Sequence, residues 1–156
     1  MKLPESTEWL LHSVTTLAML EPGSTASAAQ LAEHYDVPAA YLAKQLQTLV
    51  RGGVLVATTG PRGGFRLARP AAEITLLDIV EAVDGSASPY LCNEIRQHGR
   101  AAAPPEQCRR TCVLAAKMYA AHAAWRASLR AVTVAEIVST LPRGTQQRNR
   151  ELLARG

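Results

Sequence analysis

The residues of this chain that could do chemistry are concentrated in one segment, which contains all of its cysteines. Cys92, Cys108 and Cys112 are the only three cysteines among 156 residues. Neighbouring thiols in a reducing cytosol seldom form a structural disulfide framework, and an odd number leaves one of them unpaired. The segment therefore indicates metal binding, redox chemistry or simple burial.

The spacing of these cysteines is uneven. Fifteen residues separate Cys92 from Cys108, and three separate Cys108 from Cys112. Positions i and i+4 share one face of a helix, so the closer pair could direct two thiolates at one metal if a helix begins near there. Thiolates are the usual ligands of iron–sulfur clusters, but two of them leave two positions of a 2Fe–2S cluster open.

A carboxylate and an imidazole also lie at helical spacing, near the start of the chain. Glu8 and His12 are four residues apart, with Trp9 beside them. Such a pair is most often a surface interaction worth about 0.2–0.5 kcal/mol. The residues alone indicate nothing more.

The elements that position these residues are predicted to be mainly helical. Hydrophobic residues make up 47% of the chain and aromatic residues only 4%, a composition that favours packed helices. Apolar spacing predicts helices over residues 4–20, 28–34 and 38–51, the second opened by a Ser27–Gln30 capping box. Only the turn at residues 35–37 separates the last two, which is typical of a helix-turn-helix.

A β-hairpin is predicted after these helices. The β-branched run 54–58 and the segment 65–67 flank the turn Thr-Gly-Pro-Arg-Gly-Gly, so the pattern indicates a two-stranded wing. A capping box from Thr75 to Asp78 then opens another helix, which Gly85 ends. The fold class expected is mainly α: a winged helix-turn-helix with a two-stranded β-hairpin wing and a long C-terminal dimerisation helix.

A winged helix presents its second helix to the major groove of DNA and its wing to the backbone or minor groove. The side chains placed for groove contact are Tyr41, Lys44, Gln45 and Thr48, and those suited to phosphates are Arg51, Arg62 and Arg66. Each residue alone is better explained as solvated surface, and the net charge of +4 permits a polyanionic partner without requiring one. The combination with the wing favours double-stranded DNA.

The long helix is predicted over residues 109–131, after a cysteine-bearing loop. Its apolar stripe needs a partner, either the same helix of a second subunit or the short helix opened by Thr133 and Glu136; the stripe is Leu114, Met118, Ala121, Trp125 and Leu129. The expected domains are a DNA-binding domain at 1–85, a cluster loop at 86–108, dimerisation helices at 109–141 and a basic tail at 142–156, helical in part or disordered.

Several classes of protein are disfavoured. No apolar run reaches the length of a membrane span, and the N-terminus lacks the apolar core of a signal peptide, so we expect a cytoplasmic protein without membrane association. The glycine-rich turn lacks phosphate-loop spacing, and no thiol has a histidine base in a recognisable order. We therefore expect neither an enzyme nor a small-molecule substrate.

Taken together, these segments resemble a known family. LAEHYDVPAAYLAKQLQTLVRGGVL, the wing GPRGGFRLARP, EITLLDIVEAVDG, the cysteine loop and AAWRASLRAVTVAEI are similar to the bacterial winged-helix repressors that include IscR and NsrR. EWLLH at residues 8–12, CNEIRQHG from residue 92 and PPEQCRRTC ending at residue 112 are closest to a redox-sensing member. The resemblance covers nearly all of residues 1–140.

The resemblance implies a homodimer with crossing long helices, a palindromic operator and an iron–sulfur cluster near the dimer interface. Because the cysteine spacing departs from the short, even intervals common in that family, three cysteines of one chain are a poor expected ligand set. The redox-sensing type implies instead a 2Fe–2S cluster bound by Cys108 and Cys112 with Glu8 and His12 of the other subunit. Cys92 is then a third ligand, a resolving thiol or a small buried hydrophobe, and Trp9 is placed to couple the cluster to the fold.

Two other functions remain open. The cysteines could form a cluster-free thiol switch in a DNA-binding regulator. Alternatively, Cys108, Cys112, His12 and Glu8 could bind zinc in an interaction module.

Overall fold

The computed structural model describes residues 2–60 and 63–154. The chain divides into two compact units. Lys2–Gly85 together with the chain from Leu129 onward forms the winged-helix unit, and Ser86–Ser128 forms the cysteine unit. This division differs from the sequence-based boundaries, which placed residues 129–141 with the dimerisation helices and 142–156 in a tail.

The helix-turn-helix is present as predicted. Helix α1 spans Ser6–Met19, α2 spans Ala28–Tyr35 and α3 spans Ala39–Arg51. The capping box at the start of α2 is complete: the Gln30 N–H donates to Ser27 Oγ over 3.1 Å, and the Ser27 N–H donates to Gln30 Oε1 over 2.7 Å. Asp36 ends α2 in the left-handed conformation at φ 51°, which reverses the chain into α3.

The wing consists of β1, Leu55–Thr58, and β2, Gly64–Leu67, paired antiparallel. Its base joins the segment before α2, because Ala26 and Phe65 exchange backbone hydrogen bonds of 3.1 and 2.8 Å. Gly64 has φ +154°, and a Cβ there would lie 2.6 Å from the Ala26 carbonyl oxygen. Only glycine fits this close approach. The predicted wing-tip contact, Arg62, lies outside the described residues.

Two later helices belong to the winged-helix unit. Helix α4, Leu76–Asp84, begins with the predicted Thr75–Asp78 capping box. Helix α6, Val134–Thr140, packs against α1, and the segment before it pairs with the start of α4. The Val134 N–H donates to the Ile74 carbonyl over 2.8 Å, and Val134 is fully buried. These contacts explain why residues 129–141 belong to the winged-helix unit rather than to the cysteine unit.

Most of the predicted basic tail forms helix α7, Arg143–Ala154. Of the two alternatives expected from the sequence, partly helical or disordered, the structure shows the helical one. Asn149 and Leu153 are buried. Two hydrogen bonds anchor α7 to other helices. Gln30 Nε2 of α2 donates to the Leu153 carbonyl over 3.3 Å, and Arg150 Nε of α7 donates to the Met19 carbonyl of α1 over 2.5 Å.

The cysteine unit begins with a loop that contains two 3-10 turns, Ile95–Gln97 and Pro105–Cys108. Helix α5 follows at Val113–Arg130, starting four residues later than the predicted Arg109. A helix from Arg109 would use the Arg110 carbonyl to accept a bond from residue 114. That carbonyl instead accepts from Arg96 Nη2 over 3.1 Å.

This later start corrects one prediction: Cys108 and Cys112 do not share a helix face. Cys108 ends a 3-10 turn, and Cys112 immediately precedes α5. Across both units, no helix in the part of the chain that the structure describes combines the length and apolar character needed to cross a bilayer.

Candidate cysteine site and nucleic-acid interface

All three cysteines of the cysteine unit are free thiols and partly buried. Cys92 and Cys112 line the same cavity, together with Tyr90, Glu94 and Arg96. Residues on the two sides of the loop are therefore brought together. The sequence left Cys92 ambiguous, and the structure places it beside one of the two firmer ligand candidates.

Tyr90 reports on the electrostatics of this cavity. Loss of solvent around the phenol raises its pKa, and the Cys92 and Cys112 thiols act in the same direction because a thiolate would disfavour a neighbouring phenolate. The Tyr90 ring also meets the Tyr119 ring of α5 at 5.9 Å between centroids. The loop is thus attached to the long helix by an aromatic contact.

Cys112 lies at the N-terminal end of α5. Its carbonyl accepts the Ala116 N–H over 2.8 Å, the first hydrogen bond of the helix. Unpaired N–H groups and the helix dipole favour negative charge at such a position. The start of α5 is therefore suited to an anionic group held beside Cys112.

Glu8 and His12 occupy the exposed side of α1 in the winged-helix unit, as predicted. They line one cavity with Trp9, Tyr35 and Val37. Tyr35 and Val37 flank the turn of the helix-turn-helix, so the two candidate ligands on α1 border the element that orients α3.

Tyr35 connects this face of α1 to that turn. Its hydroxyl lies 2.5 Å from Thr16 Oγ1 and donates to the His12 carbonyl over 3.1 Å. Burial raises the pKa of Tyr35, and the hydrogen bond with Thr16 opposes that rise. The local sequence indicates only a turn at Tyr35, because the partners of its hydroxyl lie 19 and 23 residues away.

Trp9 makes a second connection, to α3. Its indole ring meets the Tyr41 ring edge to face, with 5.6 Å between centroids and an interplanar angle of 83°. Tyr41 is one of the predicted DNA-contacting residues. Trp9, which lies between the two candidate ligands in sequence, therefore contacts α3 directly.

The predicted DNA-contacting residues differ in exposure. Tyr41, Lys44, Arg51 and Arg66 are exposed, whereas Gln45 and Thr48 are half-buried. The Thr48 hydroxyl donates to the Gln45 carbonyl of its own helix over 2.6 Å. Thr48 is therefore less available for base contact than Tyr41 or Lys44.

The predicted metal ligands fall in two different units of the chain. Cys92, Cys108 and Cys112 belong to the cysteine unit, and Glu8 and His12 belong to the winged-helix unit. Within the described ranges, no group of three or more histidine, cysteine, aspartate or glutamate side chains is arranged to hold a metal ion. Each half supplies too few donors for a complete site.

Comparison with known proteins identifies the family. The Rrf2 family model, described as an iron-dependent transcriptional regulator, matches residues 3–140. This chain belongs to the Rrf2 family. The region matched includes the winged helix, all three cysteines and α5, and it ends before α7.

Curated relatives of this Rrf2 protein are named as transcriptional regulators, not as enzymes. It is 32% identical over 90 residues to the putative HTH-type regulator YwgB of Bacillus subtilis, matching 58% of each chain. It is 40% identical over 80 residues to the putative HTH-type regulator BadM of Rhodopseudomonas palustris, matching 51% of each chain. The chain thus spans between half and three-fifths of the length of these relatives.

Solved structures confirm the Rrf2 fold. CymR, described as the global cysteine regulator of B. subtilis, has a TM-score of 0.68 at 20% identity, covering 91% of this chain and 99% of its own. IscR of T. potens has a TM-score of 0.66 at 16% identity, covering 94% of this chain and 96% of its own. The predicted winged-helix fold class is confirmed, and likenesses at this identity establish the fold alone.

Proposed function

We propose that this Rrf2 protein is a DNA-binding transcriptional repressor whose operator affinity depends on the redox state or occupancy of a 2Fe–2S cluster held between two subunits. One observation carries the proposal. The predicted donors belong to two different units of the chain, the cysteines to one and the Glu8–His12 pair on α1 to the other. Joining a half-site from each of two chains makes a complete one.

The donor set is chemically suited to such a cluster. Cys108 and Cys112 supply two thiolates, and Glu8 and His12 of the partner subunit supply the remaining two positions. When bound, the cluster supplies one-electron redox chemistry, at a potential that imidazole in place of thiolate raises. The free state of all three thiols and the position of Cys112 at the start of α5 support this assignment.

The apolar surface of α5 supports a homodimer. Val113 and Leu114 are 71% and 72% exposed, and Met118 and Tyr119 are 46% and 40% exposed. Large apolar side chains gathered on one helix mark an interaction site more often than a solvated surface. We infer that a second copy of α5 covers them, as expected from the predicted stripe.

Two contacts would carry a change at the cluster to DNA. When Glu8 and His12 bind the cluster, they fix the rotation of α1. Tyr35 connects α1 to the turn by hydrogen bonds, and Trp9 connects α1 to α3 by its contact with Tyr41. A ligand can shift this equilibrium only by binding one arrangement better than the other. A movement of the ligand pair therefore changes the contacts that position α3.

The test begins with protein purified without oxygen. Its absorption spectrum, iron content and sulfide content establish the cluster, and electrophoretic mobility of operator DNA is then compared for oxidised, reduced and metal-free protein. We expect different affinities in the three states. Cys108→Ala and His12→Ala should each abolish or alter the spectrum, with His98→Ala as the matched control. Equal operator affinity in all states would contradict the proposal, and zinc in place of iron would favour the interaction module.

A second candidate is supported by the shared cavity of Cys92 and Cys112. Two free thiols lining one cavity could form a disulfide, and Staphylococcus aureus CymR, at a TM-score of 0.63 and 23% identity, has been solved in what its description calls an oxidized form. In this alternative, oxidation of the thiols replaces the cluster as the signal. Colourless, iron-free protein that loses operator affinity on forming a Cys92–Cys112 disulfide would establish it.

A further inference from the structure

We propose that Arg96 is the positioning residue of the cysteine site: its guanidinium holds the Cys92 side of the loop to the Cys108–Cys112 side and places a positive charge beside the thiols. The cluster part of this inference rests on the proposed function. Its structural part concerns the metal-free chain.

The contacts of Arg96 join the two sides of the loop. Arg96 Nε and Nη2 donate to the two carboxylate oxygens of Glu94 over 2.5 and 2.7 Å. The same Nη2 donates to the Arg110 carbonyl over 3.1 Å, midway between Cys108 and Cys112. The Arg96 carbonyl accepts the Ala103 N–H over 2.7 Å. One residue thus ties down three points of the loop.

The bond to Arg110 reaches the segment that leads into α5. Arg110 lies two residues before Cys112, and α5 begins at Val113. The guanidinium therefore holds the backbone that precedes the helix, and Cys112 lies at the helix N-terminus, where unpaired N–H groups favour negative charge.

Glu94 supports the arrangement at a conformational cost. It adopts φ 50° and ψ 48°, the left-handed region that non-glycine residues seldom occupy. Such a conformation persists only where its surroundings determine it. The bidentate ion pair with Arg96 can hold Glu94 in this conformation, because a planar guanidinium matches the geometry of a carboxylate and a lysine ammonium does not.

The charge of Arg96 is directed at the cysteine site. Arg96 lines the same cavity as Cys92 and Cys112. Glu94 is the main cause that raises the pKa of Arg96, and Cys108 and Cys112 act in the same direction. Groups behind the metal ligands commonly orient them and tune the metal. Removing the guanidinium would leave the Glu94 carboxylate uncompensated in that cavity and so disfavour an added electron on a bound cluster.

Two readouts in three variants test this inference. The variants are Arg96→Gln, which removes the charge and the fork, Arg96→Lys, which keeps only the charge, and Arg100→Gln, an exposed control on the same loop. Hydrogen exchange of the Ala103 amide is measured in metal-free protein, and the reduction potential is measured in protein carrying the cluster.

We expect exchange at Ala103 to be about tenfold faster or more in both Arg96 variants and unchanged in Arg100→Gln. The potential should fall in Arg96→Gln by about 59 mV, equivalent to a tenfold change in the ratio of reduced to oxidised cluster, and should be largely restored in Arg96→Lys. Unchanged exchange in Arg96→Gln overturns the proposal. Faster exchange with an unchanged potential overturns its electrostatic part and leaves Arg96 purely structural.

A failure of the proposed function can be distinguished from a failure of the Arg96 proposal. If the wild-type chain binds no cluster, the exchange measurement on metal-free protein still decides whether Arg96 holds the loop. In that case, faster exchange in both Arg96 variants supports the positioning role, and wild-type exchange overturns it.

Discussion

Trp9 of α1 and Tyr41 of α3 pack edge to face, with their ring centroids 5.6 Å apart. Trp9 lies between two candidate ligands in sequence, and Tyr41 is an exposed residue of the recognition helix. Aromatic pairs of this geometry contribute about 0.5–1.5 kcal/mol beyond the area they bury. A shift of α1 therefore changes the environment of a predicted DNA contact.

Trp9→Ala should uncouple the candidate ligands from DNA binding. Because the Tyr41 ring loses its partner, we expect the difference in operator affinity between oxidised and reduced protein to shrink by about 1 kcal/mol, roughly fivefold. Fluorescence anisotropy with labelled operator measures it. Trp125→Ala, on α5, is the matched control. If Trp9→Ala keeps the wild-type difference in operator affinity between oxidised and reduced protein, the Trp9–Tyr41 contact does not couple the candidate ligands to DNA binding.

Tyr35→Phe should destabilise the winged-helix unit while keeping the ring. The substitution removes the hydroxyl bonds to Thr16 and to the His12 carbonyl, so we expect a loss of about 1 kcal/mol in the free energy of unfolding. Urea denaturation of metal-free protein provides the measurement. Tyr119→Phe, on a partly exposed ring of α5, should change stability by less. Equal effects of the two substitutions would show that the Tyr35 hydroxyl has no special role.

Arg148→Gln should raise the pKa of His34. Burial is the larger cause that lowers this pKa below 6.5, and the charge of Arg148 on α7 lowers it further. Removing Arg148 leaves the burial, so the pKa should rise but remain below 6.5. Titration of the imidazole resonances by NMR measures the change, with Arg143→Gln as the control on the same helix. An unchanged pKa would mean that Arg148 does not lie near His34 in solution.

The lowered pKa of His34 also predicts how the stability of the folded protein changes with pH. The folded state disfavours protonated His34, so its pKa is lower in the folded than in the unfolded chain. The resulting stability is present above pH 6.5 and is lost as pH falls through the depressed folded pKa. A His34→Asn variant should lose this part of the pH dependence in thermal unfolding measurements.

Gly64→Ala should weaken the base of the wing. The new Cβ would meet the Ala26 carbonyl at 2.6 Å, and φ +154° is unfavourable for alanine. We expect a loss of about 1–3 kcal/mol in unfolding free energy. Gly144→Ala is the opposite control, because this glycine lies in α7 with open space around it and should gain up to about 1 kcal/mol. Thermal unfolding of both variants distinguishes the effects, and a neutral Gly64→Ala would contradict the close approach.

Much of the fold was predictable because its signals are local. The Ser27–Gln30 and Thr75–Asp78 capping boxes involve residues three apart, and both are present as predicted. The apolar spacing of α3 predicts a buried face of Leu42, Leu46, Leu49 and Val50; the three leucines are buried, and Val50 is half-buried. The DNA contacts were predicted from residue type and spacing, whereas the ligand set came from the family resemblance, and the roles of both stay predictions.

By itself, the sequence determined the local elements, since caps, turns and helical periodicity depend on residues within about four positions of one another. Only the tertiary structure decided the features that depend on distant contacts. Arg96 donates to a carbonyl 14 residues away, and α5 begins at Val113, so Cys108 and Cys112 do not share a helix. Gln30 holds Leu153 from 123 residues away and makes the predicted tail part of the winged-helix unit. No local pattern encodes either bond, because each depends on where the rest of the chain folds.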